Sequence, residues 1–485
     1  MKNTAKAGHA IVIGGSIAGM LIARVLTNHF AHVTVIERDN LPTTPDFRKG
    51  APHARHAHGL LVRGQQIVES YFPGISVELQ AQGAIFANIG TELSLHLGGV
   101  AVQPFPSELE FIACSRPLLE FTIQQRLRSI SQIRFREGYD VHGICTDADR
   151  LRATGVRIQS KGAGAEEEIV HADLIVDASG RSSRLPEWLT ELGYTPPTET
   201  TVDAQAGYAT RIYRRPAHCA GTWKALYGIA QAPEQSRGCI ILPLEGDRLH
   251  VTLIGLNGDH PPTDEEGFLA FARSVPVPDL YKTLSQAEPL TAPYGYRNAA
   301  NRLRHYDRLP RYLEGIVALG DAVYALNPVY GQGMTVAALA AVTLDEILGS
   351  LHRHPADDPT GLARRFQRTL AKVIAGPWQM ATGQDLRWPS TRADYKPDPI
   401  SRLLQGYFDR VLTVMTDNAE VAAAFAQVQN MLASPATLFH PGIVWQVLRT
   451  KQRLRMATGA CGQINDYSSG DRLSHQPAEG ASRPA

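Results

Sequence analysis

Two short stretches of this sequence carry residue types and spacings suited to holding phosphates. The first, IVIGGSIAGM at 11–20, sets Gly14, Ser16 and Gly19 in a G-x-G-x-x-G pattern, with serine in place of the middle glycine. Such a loop turns a strand into a helix whose free N–H groups attract a pyrophosphate. Glu37 stands 18 residues after Gly19, where an acid accepts hydrogen bonds from an adenosine ribose. The second stretch, GIVALGDAVYALNPVYGQGM at 315–334, is an apolar strand ending at Gly320-Asp321. A loop with Pro328, Gly331 and Gly333 then opens an alanine-rich helix. Asp321 can accept hydroxyl hydrogens from a sugar or ribitol chain, and the N–H groups of Gly333 and Met334 face negative charge developing before the helix.

Other residues invite chemistry less specifically. Arg48 and Arg116 suit bidentate contact with a pyrophosphate. His56 and His58 would share a face of a strand, and with Tyr330 they are candidate cofactor or substrate contacts. His53 makes a third histidine, but H-x-H without a neighbouring Cys, Asp or Glu is a poor zinc set, so no metal is expected. No Ser-His-Asp set or carboxylate pair emerges from spacing.

These residues need a scaffold of two kinds. AIVIG at 10–14, the apolar-periodic helix after it and the strand AHVTVIERD form a βαβ unit. RFREGYDVHGICTD, ATGVRIQS and EEEIVHADLIVDAS read as a meander of strands. Further strands cover 203–256, with a short hairpin turn at Gly246-Asp247. The expected organisation is a discontinuous nucleotide domain (1–75, 111–194 and 301–354) with an inserted, mainly antiparallel domain (76–110 and 195–300). A helical region (355–460), punctuated by GPW at 376–378, and a disordered tail (461–485) complete it.

Composition narrows the classes. The 485 residues are 44% hydrophobic and 20% charged, with a formal net charge of +1, which disfavours a nucleic-acid partner. Five scattered cysteines (Cys114, Cys145, Cys219, Cys239 and Cys461) without a C-x-x-C pair fit a reducing compartment. The most apolar run, about 316–350, is broken by Asp321, Asn327, Gln332 and Asp345 and reads as buried strand, loop and helix, not a membrane span. A cytoplasmic protein is expected.

The 315–334 segment, DASGRSSR at 177–184, ACSRPLLEFTI at 113–123 and the loop at 11–20 together resemble class A FAD-dependent monooxygenases of the glutathione-reductase-like fold. RKGAPHARHAHGLLVRGQQIVESYFPG at 48–74 and NPVYGQGM are similar to bacterial flavin-dependent epoxidases of polyether biosynthesis, although Ala51-Pro52-His53 stands where those commonly show Val-Pro-Gln. The resemblance implies an α/β fold: a three-layer, Rossmann-like FAD domain with an inserted antiparallel substrate sheet and C-terminal helices. It also implies FAD contacts from Gly14, Gly15, Ser16, Gly19, Glu37, Arg38, Arg48, Arg116, Asp177, Gly320, Asp321, Pro328, Gly331, Gly333 and Met334. A bulky residue at Gly14 would then collide with the pyrophosphate. Ser16 costs about 1 kcal/mol of backbone preference, while its hydroxyl can donate to phosphate.

The activity so implied is insertion of one oxygen atom from O2 through a flavin C4a-hydroperoxide, with epoxidation of an apolar polyketide or terpenoid alkene favoured. Aromatic hydroxylation and reduction of a polyprenyl chain are the alternatives. NAD(P)H would supply electrons directly or through a separate flavin reductase, and the small apolar substrate could be carrier-bound.

Overall fold

A computed structural model of the chain describes residues 8–449, apart from 163–164, 217–222, 298, 354–360 and 397–398. The expected tail at 461–485, Cys219 and Cys461 lie outside the described residues.

The apolar runs near the N-terminus are buried on both faces, as a central parallel sheet requires. Five parallel strands lie in the order Ile316–Ala318, Leu174–Asp177, His9–Ile13, His32–Glu37 and Ile133–Glu137. The helix Ile17–Leu26 crosses between His9–Ile13 and His32–Glu37, burying every residue except Ala18 and Arg24. Beside it packs Gly333–Arg353, flanked in turn by Val62–Tyr71 and Leu362–Asp385. Gly333–Leu351 is long and apolar enough to cross a membrane, yet Val336, Ala338, Ala340, Ala341 and Leu344 are fully buried inside this layer.

The expected meander divides between two sheets. Ile133–Glu137 and Leu174–Asp177 join the parallel sheet, and only Tyr139–Thr146, Ala153–Ser160 and Glu167–His171 form an antiparallel three-stranded sheet. Alternation in sequence cannot distinguish these fates, because they depend on the strand found alongside.

A second sheet of seven strands runs Tyr294–Tyr296, Gly207–Arg214, Arg248–Gly255, Arg237–Leu244, Ala225–Ile229, Leu93–Leu97 and Val100–Ala101. All its pairs are antiparallel except Ala225–Ile229 with Leu93–Leu97. The turn before Arg248–Gly255 carries Gly246 and Asp247 at φ 73° and 56°, the left-handed geometry of a tight hairpin. Side chains alternate strictly: Cys239, Ile241, Val251 and Leu253 pack under the helices Glu265–Ser274 and Pro278–Leu284. Ile240, Leu242, Thr252 and Ile254 face an internal cavity. Both faces are therefore covered, and the strands read apolar throughout.

The GPW segment does not interrupt the C-terminal helices. Leu362–Asp385 runs through Pro377, because Phe366, Leu370, Ile374, Trp378 and Ala381 continue one buried face. That packing outweighs the hydrogen bond lost at proline. Pro399–Val414, Ala419–Gln429 and Pro441–Arg449 follow and close over the cavity side of the second sheet.

Candidate active site

One cavity of about 1270 Å³ runs from the first glycine loop to the C-terminal helices. Its polar end is built at the carboxyl edge of the parallel sheet, where strand ends deliver loops toward one crevice. Gly14, Ser16, Glu37, Arg38, Arg48 and Arg116 reach it there. Gly320, Asp321, Pro328, Tyr330, Gly331, Gly333 and Met334 line its middle, together with His53, His56 and His58.

Three of the residues expected at the cofactor do not line the cavity. Gly15 is buried with its N–H donating to Glu37 Oε2 at 2.7 Å. Gly19 is a packing glycine, since a Cβ there would stand 1.8 Å from the Gly14 carbonyl oxygen. Asp177 is fully buried and accepts from the Ser179 N–H at 3.0 Å and from the hydroxyls of Ser179 and Ser183. Its carboxylate shapes the turn after the strand and has no face toward a ligand. Gly14 also differs from expectation: at φ +105° a Cβ would already lie 2.6 Å from the Ala178 carbonyl oxygen, so the protein itself demands glycine there.

The serine at position 16 caps the helix through its backbone position only, and its hydroxyl is turned aside. It accepts from Arg48 Nη2 and lies 3.4 Å from Glu120 Oε1. Arg48 is ringed by carboxylates, 3.1 Å from Glu37 Oε2, 3.5 Å from Asp39 Oδ2 and 3.6 Å from Glu120 Oε2. Burial opposes its charge, yet Glu120, Glu37 and Asp39 together hold its pKa above the ordinary value. Arg116 opens the helix Arg116–Arg128, capped by Ser115, and pairs with Glu120 Oε1 at 2.9 Å. Glu120 shows in the sequence only its i,i+4 spacing from Arg116, and its role becomes visible when the two arginines converge on it. Arg38 is exposed and makes one 3.5 Å contact with the Gly50 carbonyl.

The histidine segment is held neutral. His58 Nδ1 lies 2.8 Å from the His56 carbonyl oxygen, so Nδ1 carries the hydrogen and Nε2 accepts from Arg116 Nη1 at 3.0 Å. Burial, then the Arg116 charge, pushes the His58 pKa well down, and the same two causes lower His53. His56 Nδ1 meets Thr210 Oγ1 at 2.8 Å, which in turn meets Thr252 Oγ1 at 2.7 Å. Burial, with His250 adding to it, brings His56 down to about 4. Among the described residues no three His, Cys, Asp or Glu side chains converge as a metal site.

The middle of the cavity is shaped to admit a ligand closely. Gly331 is left-handed at φ +65°, and Gly333 begins the helix Gly333–Arg353. A Cβ at either would meet no protein atom within 4 Å, in contrast to Gly14 and Gly19. Gln332 is 2% exposed, and its Oε1, buried at the cavity wall, has no hydrogen-bond partner. Asp321 lines the cavity, with Arg181 Nε 3.7 Å away; enclosure raises its carboxyl, and Arg181 opposes that rise. Open glycines, an unpaired amide oxygen, a cavity-lining carboxylate and a helix N-terminus along one crevice fit an extended dinucleotide.

The far end is mostly apolar, with Gln379, Arg387 and Gln405 among its polar members. Leu95, Leu97, Leu242, Phe408, Leu412 and Phe425 are among its walls, drawn from the second sheet and the C-terminal helices.

Comparison with known proteins agrees with this geometry. The profile of the FAD binding domain family matches residues 8–362. Protein Rv3254 of Mycobacterium tuberculosis is 34% identical over 400 residues, covering 80% of this chain and 82% of that protein. A kynurenine 3-monooxygenase of Salinispora tropica is 26% identical over 377 residues, covering 73% of this chain and 74% of the relative. Among solved structures, PqsL, a probable FAD-dependent monooxygenase from Pseudomonas aeruginosa, superposes with a TM-score of 0.58 at 17% identity. That match covers 78% of this chain and 97% of PqsL, and it shows a shared fold.

Proposed function

The chain belongs to the FAD binding domain family of class A flavin-dependent monooxygenases and takes FAD as its cofactor, and from that premise we propose that it epoxidises an alkene of an apolar substrate. Ser16, Arg48 and Arg116 would hold the pyrophosphate, Glu37 the ribose and Asp321 the ribitol side. The N–H groups of Gly333 and Met334 would face the ring. FAD supplies electron transfer and activation of O2.

The apolar far wall of the cavity carries the reading. An oxygenation site must exclude water while it holds its substrate, and an apolar wall favours both. An alkene needs no base. A phenol must be ionised, and that calls for a group whose pKa approaches its own. The four imidazoles near the cavity offer none, since burial lowers His53, His56, His58 and His250 alike. The hydroxyls of Tyr208 and Tyr227 are already committed to Asn327 and to the Val329 carbonyl.

Aromatic hydroxylation is the second reading, favoured by the 26% identity to a kynurenine 3-monooxygenase and by the His56–Thr210–Thr252 chain as a proton relay. The substrate would reach the enzyme in the cytoplasm, free or on a carrier, with NAD(P)H acting directly or through a reductase. The deciding experiment reduces the FAD-loaded protein without oxygen, once with NAD(P)H alone and once with an added flavin reductase. Labelled O2 is then admitted with a panel of polyenes and phenols. One labelled oxygen in an epoxide supports the proposal; a labelled phenol hydroxyl moves it to the second reading. A saturated, unlabelled product overturns both in favour of a reductase.

A further inference from the structure

The loop before Gly333–Arg353 is gripped from four places. Asn301 Oδ1 accepts from the Asn327 N–H at 2.7 Å, and the Tyr208 hydroxyl accepts from the Val329 N–H at 3.1 Å. The Tyr227 hydroxyl donates to the Val329 carbonyl at 2.7 Å. The fourth place is Asp385, the last residue of Leu362–Asp385, in a region where sequence reading identified no functional residue. Its carboxylate is fully buried. It accepts from the Tyr330 hydroxyl at 2.6 Å, Asn301 Nδ2 at 2.6 Å and Asn327 Nδ2 at 3.1 Å. Three donors from two segments thus converge on one anion, and such a network holds its geometry only while every member is satisfied.

We propose that Asp385 is a positioning residue that fixes the flavin-facing loop 327–333 from the C-terminal helix, so that the environment of the bound flavin follows the ionisation of this carboxylate. The proposal rests on the family's placement of the ring at this loop and needs no assumption about substrate. Burial pushes the Asp385 carboxyl up to about 6, against the pull of Tyr330, Asn327 and Asn301. The titratable groups facing it are Tyr330 on the loop, Tyr208 on Gly207–Arg214 and Asp203 on Glu199–Asp203. Burial keeps both tyrosines protonated through this range, and Asp203 adds to the upward push. Below pH 6 the added proton puts a donor where the carboxylate offered only acceptors, and the hydrogen bonds from Tyr330, Asn301 and Asn327 must rearrange around it.

The test follows the visible spectrum and midpoint potential of the FAD-loaded protein from pH 5 to pH 8. The wild-type protein should show a transition near pH 6 beyond any change of free FAD. Asp385→Asn should abolish that transition and weaken FAD binding by about tenfold, the scale of one charge-assisted hydrogen bond. Tyr330→Phe removes a donor that favours the anion, so its transition should move to higher pH. Overturning results are an Asp385→Asn spectrum and potential that track wild type throughout, or a Tyr330→Phe transition that stays or moves down. Should Asp385→Asn fail to fold, Tyr330→Phe decides, because two of the three donors remain. Substrate is absent from every arm, so failure here leaves the oxygenation reading standing.

Discussion

Arg116 Nη1 stands 3.0 Å from His58 Nε2, on the side of the imidazole opposite its hydrogen bond to the His56 carbonyl. Protonating that ring would set an N–H against a guanidinium. His53, His56 and His250 share the penalty of burial. For histidines lowered in the folded state, the unfolded chain binds more protons below its ordinary value near 6.5, so stability is full above that pH and falls as pH drops. Each ring contributes about 1.4 kcal/mol per pH unit until its folded value is reached. Denaturant midpoints should therefore fall steeply from pH 6.5 toward 4. His58→Gln, which keeps one donor and one acceptor, should flatten that slope by one proton; an unchanged slope would show that His58 is not among the groups responsible.

The glycines divide into two classes that a pair of alanine variants should separate. A Cβ on Gly19 collides with the Gly14 carbonyl at 1.8 Å, whereas one on Gly333 enters open cavity. Gly19→Ala should fail to fold, with or without FAD. Gly333→Ala should leave the apoprotein within about 0.5 kcal/mol of wild type. Its FAD affinity should drop, because the methyl group occupies ligand space. Apoprotein melting beside FAD titration checks both halves, and a Gly333→Ala protein that binds FAD normally would remove the ring from this loop.

That division also marks what a sequence can show. The βαβ unit and the junction at 316–334 were legible because strand, turn and helix are contiguous, and their glycine spacing reflects local backbone geometry. The role of Asp177 was misread for a related reason: the motif places the residue at a strand end, but only the fold shows its carboxylate turned back onto Ser179 and Ser183. Glu120 signalled only its i,i+4 pairing with Arg116, not its contact with Arg48, and Asn301 and Asp385 gave no signal. Each acts on a partner far along the chain, and a buried acid in a helix looks like any solvated one until the neighbouring element is known. Pro377 misled in the opposite direction, since a buried helix face overrode a local breaker.

Asp321 and Asp177 should respond oppositely to alanine. Asp321 has only a 3.7 Å contact with Arg181 and faces the cavity, so Asp321→Ala should melt like wild-type apoprotein and emerge without flavin. Asp177→Ala strips the acceptor from three donors in a buried turn and should cost about 3 kcal/mol before any ligand is added. Purification colour and an apoprotein melt distinguish the two. A yellow, fully loaded Asp321→Ala protein would contradict its place beside the ribitol.

Arg48 offers the sharpest electrostatic test, because its removal leaves Glu37, Asp39 and Glu120 facing one another with side chains only 6%, 13% and 13% exposed. Breaking a buried pair in this way costs about 3–5 kcal/mol, so Arg48→Ala should be strongly destabilised at pH 7. Glu120 keeps Arg116, but Glu37 and Asp39 lose their guanidinium. Repulsion among the clustered negative charges eases in acid, so stability should recover as pH falls toward 5, opposite to the histidine effect. Arg48→Lys keeps the charge but not the fork that spans Glu37 and Ser16, and should fall between the two. Apoprotein urea midpoints for the three proteins at pH 7 and pH 5 decide the matter. If Arg48→Ala loses as much stability on acidification as wild type does, the three acids are not held together by this guanidinium.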